Sequence, residues 1–85
     1  ASLRNAFLGE TNLAEAFLNG VDLHGIDLTG INLRAAKLSG ANLEGATLSF
    51  TNFREARLQG ANLANANLTG ANLEAAFLHG ANLQW

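Results

Sequence analysis

A five-residue period constrains this chain more than any other feature. A large apolar residue recurs at every fifth position from Leu3 to Leu83, and only Phe53 is not Leu. A small or β-branched residue stands two positions before each of them, as Ala41, Ala46, Thr51 and Ala56 do in the stretch 40–60. The frame holds over all 85 residues, so the whole chain is repeat. A helix does not fit this period. Five residues at about 100° each advance roughly 140° net, so successive Leu side chains would circle the axis and leave no buried face. A flat strand does not fit either. Side chains alternate with period two, and an odd repeat sends successive Leu residues to opposite faces.

A short strand followed by a corner does fit. If the Leu is taken as the centre of each unit, the small residue two before it points the same way. Ala41 and Leu43 then face inward while Asn42 faces out. The last two residues of each unit turn the chain. Eight of the nine Gly residues (20, 25, 30, 40, 45, 60, 70, 80) hold the second position after the centre, where a corner demands positive φ. Pro is absent, as expected where nearly every backbone N–H is needed for pairing between stacked coils. The class is therefore an all-β solenoid, in which a small chain buries its apolar positions by stacking units. Val21, Ile26 and Ile31 replace the usual Ala close together, so the interior there should pack differently.

The units A-N-L-E-G (41–45), A-N-L-A-N (61–65), the A-N-L at 71–73 and A-N-L-Q-W (81–85) resemble the pentapeptide repeat family, A-(D/N)-L-x-x, and the resemblance covers the full length. It implies a right-handed quadrilateral parallel β-helix of four pentapeptides per coil, about four coils in all, as a single domain over residues 1–85. In a 20-residue register Asn12, Asn32, Asn52 and Asn72 stack, and so do Gly20, Gly40, Gly60 and Gly80. Gly also recurs every ten residues, so periodicity alone favours that register only weakly. The outward position departs from Asn/Asp at Ser2, Phe7, Phe17, Lys37, Thr47, Arg57 and Phe77. In the same register Phe17, Lys37, Arg57 and Phe77 share one face.

Composition excludes several function classes. The formal net charge is −2, too small to argue for a polyanion mimic or a nucleic-acid binder. Without Cys there is no disulfide framework or thiolate metal site. No apolar run reaches the roughly 18–20 residues that span a bilayer. No charged n-region followed by an apolar h-region opens the sequence, and Met is absent even at position 1, so we expect a processed or partial chain. No nucleophile motif, phosphate loop or carboxylate dyad occurs. His24 and His79 fall on different faces and cannot share a metal, so neither metal nor cofactor is expected.

Two candidate surfaces remain. Arg34, Lys37, Arg54 and Arg57 gather mid-solenoid on neighbouring faces and form a candidate surface for an anionic partner, with Glu15, Glu55 and Glu74 near enough to neutralise it. Asp22, Asp27, Glu10 and Glu44 lie on the other two faces. Phe7, Phe17, Phe77 and Trp85 belong to the first and last coils and are candidate end contacts, either as shields of the core or in an end-to-end homodimer. The leading reading is a non-catalytic structural or protein-interaction module with an unknown protein partner. The resemblance supplies an alternative, since some members mimic DNA and modulate DNA gyrase and related type II topoisomerases. Those members are longer and more acidic, and this sequence shows only a short acidic face. The resemblance also places members in bacteria, cyanobacteria above all, in the cytoplasm, periplasm or thylakoid lumen; cytoplasm is favoured here.

If Ala41 and Leu43 both face inward, overfilling and emptying the interior should be comparably damaging. Leu43→Ala should cost about 2–5 kcal/mol and Ala41→Leu about 1–3 kcal/mol or more. Thermal melts that showed Ala41→Leu to be neutral would place residue 41 outside the core.

Overall fold

The computed structural model describes residues 12–84. Within them the chain winds so that each residue lies beside the one 20 positions later. Parallel bridges link Asn12 to Asn32, Asn32 to Asn52 and Asn52 to Asn72, and the same step joins Phe17, Lys37, Arg57 and Phe77. Two further columns run through Asp22, Asn42, Asn62 and Asn82, and through Asp27, Thr47 and Asn67. The molecule therefore has four walls, named here for the first described residue of each column. The expected short strands shrink to single bridged residues, because the rest of each pentapeptide is spent on the turn.

The corner follows from backbone chemistry. In every described unit from Leu13 to Leu78 the centre carbonyl accepts a hydrogen bond from the N–H three residues later, as in Ala46 N to Leu43 O at 3.0 Å. The third residue of that turn has positive φ at every fifth position from Glu15 to Gly80. This pairing of bond and dihedral belongs to a type II turn. Eight corners use Gly, but Glu15, Ala35, Phe50, Glu55, Asn65 and Ala75 hold the same left-handed conformation with φ of 58–63°. Each side chain there costs about 1–2 kcal/mol relative to a relaxed backbone.

Unit 41–45 shows how completely the backbone is used. Ala41 N donates within its turn to Leu38 O, Asn42 N to Val21 O on one neighbouring coil, and Leu43 N and Gly45 N to Asn62 O and Ala64 O on the other. The fifth donor, Glu44 N, is met by Asn42 Oδ1 at 3.1 Å. All five amides are satisfied, as backbone shielded from water requires. The Asn or Asp before each centre is thus a local cap, since its short side chain reaches the N–H two residues on. Asn12, Asp22, Asp27, Asn32, Asn52, Asn62, Asn67, Asn72 and Asn82 all make this bond.

Inside, Leu23, Leu28, Leu33, Leu38, Leu43, Leu48, Phe53, Leu58 and Leu63 are fully buried, and Ile26, Ile31, Ala36, Ala41, Ala46, Ala56 and Ala61 fill the spaces between their columns. Phe53 sits in the column of Leu13, Leu33 and Leu73 without exposure, so the one non-Leu centre is a core residue. Thr51 is the one buried polar residue described, and its hydroxyl donates to Leu28 O at 2.7 Å. Toward the high-numbered end the core opens. Leu68, Leu73 and Leu78 are half-buried and Leu83 is exposed. Among the described residues, the amides of Leu68, Leu73 and Leu78 have no carbonyl above them.

Gly40 and Gly70 separate the two demands on a corner. Both have φ near +70°, yet a Cβ on Gly40 would meet nothing within 4 Å, whereas on Gly70 it would lie 2.5 Å from Phe50 Cε1. Gly40→Ala should therefore cost about 1 kcal/mol from the backbone alone. Gly70→Ala should cost that plus the loss of the exposed Phe50 ring's seat. Urea unfolding gives both values, and an unchanged midpoint for Gly40→Ala would mean that the corner does not hold positive φ in solution.

Candidate functional site

Three of the four walls are capped in nearly every unit. The Phe17 wall is capped in none, because Phe17, Lys37, Arg57 and Phe77 all stand where an Asn or Asp would be. Elsewhere among the described residues only Thr47 departs. Each missing cap forgoes a hydrogen bond worth about 1 kcal/mol. One of the orphaned donors is rescued from the neighbouring coil, where Ser39 N donates to Asn19 Oδ1 at 3.0 Å. Ser39 Oγ continues the polar row to Gln59 Oε1 at 3.1 Å.

The four residues of that column form an ordered strip. Lys37 Nζ lies 4.7 Å from the centroid of the Phe17 ring, and Arg57 Cζ lies 5.5 Å from that of Phe77. Both are within the range of a cation–π contact. The cations thus lean away from each other toward the two ends of the strip. The rings remain open to solvent, Phe17 at 78% and Phe77 at 49%. Their column is a side wall, so these two candidate end contacts project from the flank of the coil stack. Phe7 and Trp85, the other two, lie outside the described residues, as does Glu10 of the acidic set.

Charge sorts the four basic candidates into two pairs. Arg34 Nη2 meets Glu55 Oε1 at 2.9 Å, and Arg54 Nε meets Glu74 Oε1 at 2.9 Å. These exposed pairs add little stability, but they cancel the charge of the Asn12 wall. Lys37 and Arg57 have no carboxylate partner among the described residues. Sequence reasoning placed all four mid-solenoid with the neutralising Glu residues near. It could not say which cations are neutralised, because that depends on which side chains the coil offset brings together.

The acidic side is short. Asp22 begins a column that continues as Asn42, Asn62 and Asn82, and Asp27 one that continues as Thr47 and Asn67, so no continuous acidic wall runs through the described residues. Glu44 lies 3.9 Å from His24 Nε2. No group of three or more His, Asp, Glu or Cys side chains able to hold a metal occurs among the described residues. No helix there is long and apolar enough to cross a membrane. Stacked amides reach between coils at 3.3–3.4 Å in the pairs Asn42–Asp22, Asn52–Asn32 and Asn82–Asn62, a structural ladder. Phe50 is 68% exposed, at a corner of the Asp27 wall in left-handed conformation.

The pattern recurs in known proteins. The family model for pentapeptide repeats matches residues 1–30, 26–63 and 48–84, in eight copies. A pentapeptide repeat protein of the cyanobacterium Cyanothece 51142 superimposes with a TM-score of 0.92 at 41% identity, over 95% of this chain and 55% of its own. Another from Nostoc Pcc 7120 gives 0.87 at 43% identity, over 91% and 64%. A third, from the Arabidopsis thaliana thylakoid lumen, gives 0.68 at 31% identity, over 82% and 46%. The chain thus spans less than two thirds of each of these relatives. No curated protein sequence matches it significantly.

Asp27 offers a pH probe of one capped corner. The hydroxyl of Thr29 donates to its Oδ1 at 2.6 Å and the Thr29 N–H at 3.0 Å, and these two bonds, the hydroxyl first, hold its carboxyl below the ordinary aspartate value. A depressed carboxylate stabilises the fold above its unfolded pKa, and that contribution is lost as pH falls through the folded value. Carboxyl NMR titration should place Asp27 below 3.8, and Thr29→Ala should raise it. An unshifted Asp27 would mean that this cap does not form in solution.

Proposed function

The chain belongs to the pentapeptide repeat family, and on that premise we propose that residues 1–85 form a single right-handed quadrilateral β-helix of about four coils that serves as a non-catalytic module for binding another protein. The carrying observation is the Phe17 wall. In every described coil it gives up the hydrogen-bonding cap and presents an exposed ring or an unpaired cation instead. Exposed aromatics and Arg are the residue types on which protein interfaces most depend. The regular backbone supplies a rigid support for them. Arg34 and Arg54 belong to the same surface but contribute as charge-cancelled neighbours.

The Cyanothece and Nostoc relatives support a cyanobacterial setting, and the lumenal Arabidopsis relative keeps the thylakoid lumen beside the cytoplasm as a compartment. The interaction reading is tested by capture from a cyanobacterial lysate on the immobilised protein, with a Lys37→Glu/Arg57→Glu variant alongside. A single partner retained by the parent and lost by the variant is the expected result. Retention of gyrase or topoisomerase IV subunits by both proteins would favour the DNA-mimic alternative. Equal capture of everything by both would remove the Phe17 wall as the binding surface.

A further inference from the structure

We propose that the Phe17 wall is a docking strip for an extended acidic segment of a partner protein, with two carboxylates on one face of the segment meeting Lys37 and Arg57. This deepens the interaction reading above and rests on it. Three features define the occupant. The wall, residues 16–20, 36–40, 56–60 and 76–80, carries two cations and no carboxylate: its other outward residues are Phe17, Asn19, Ser39, Gln59, Phe77 and His79. The nearest acids stand at the bordering corner, where Glu55 is tied to Arg34, leaving Glu15 at one end. The opposite border is the Gly20, Gly40, Gly60 and Gly80 edge, which has no side chains to obstruct a chain lying on the wall.

Lys37 and Arg57 are bridged neighbours, so their backbones stand one coil step, about 4.8 Å, apart, and each side chain reaches the ring of the coil beyond. An extended chain returns to the same face every second residue, about 7 Å on. Two carboxylates on one face of such a segment therefore face both cations. Beside the cations the segment would pass the Ser39–Gln59 pair, which is already hydrogen-bonded. The partner's side chains beside its carboxylates would cover the exposed rings.

The test is an amide-resolved NMR titration of the isotope-labelled protein with a dodecapeptide of Gly, Ser and two Glu residues two apart, at low salt to preserve charge contacts. Shifts should concentrate on residues 37–40 and 57–60. Lys37→Ala/Arg57→Ala should weaken binding about tenfold, and Arg34→Ala/Arg54→Ala less than about twofold. Unchanged amides on the Asp22 wall establish that each variant is folded. Equal weakening by both double variants or equal binding of an oligothymidylate would each overturn the proposal in favour of a general polyanion surface. If the peptide leaves the protein unshifted while lysate capture still depends on Lys37 and Arg57, the interaction reading stands and the acidic-strip assignment falls.

Discussion

Hydrogen bonding between coils 20 residues apart is the constraint on which everything else in this structure depends. Each inner pentapeptide sends one amide to the coil before it and two to the coil after, as Asn42, Leu43 and Gly45 do. The turn and the Asn cap take the remaining two. That arithmetic leaves no room for insertion. One extra residue would shift a centre to an outward position and misalign three bonds with each neighbouring coil. It also explains the absence of Pro without appeal to any local preference.

From the same constraint follows the division of labour within each unit. The inner pair is fixed by packing, and the corner residue by its positive φ. Only the residue before the centre and the one after it face outward with any freedom, and the first of these is usually committed to capping. A wall becomes available for chemistry when its cap is given up. The Phe17 wall does so in four successive coils, while the Asn12 wall never does. The contrast between adjacent walls of one chain, built from one repeat, is the physical basis for our proposal that recognition lies on the former.

Corner strain adds a second layer. Ala35, Phe50 and Ala75 hold a conformation that Gly would adopt at lower cost. At Phe50 the ring lies along the coil axis over Gly70, so one corner's side chain occupies the space that the next corner's glycine leaves open. At Glu55 the side chain pairs with Arg34.

The five-residue period, by itself, determined the direction of every residue. Leu43 in, Asn42 out and Gly45 at the corner follow from strand alternation and the rarity of positive φ, and the structure bears all three out. It could not determine how many units close a coil, because a strict period of five is equally consistent with stacking at 15, 20 or 25 residues. The turn angle and the bonds between coils decide that, and they select 20. Pairing between surface charges is decided at the same stage. Whether Arg34 meets Glu15 or Glu55, and whether Lys37 meets a carboxylate or a ring, depends on the offset between neighbouring coils, a distance that exists only once the coil has closed.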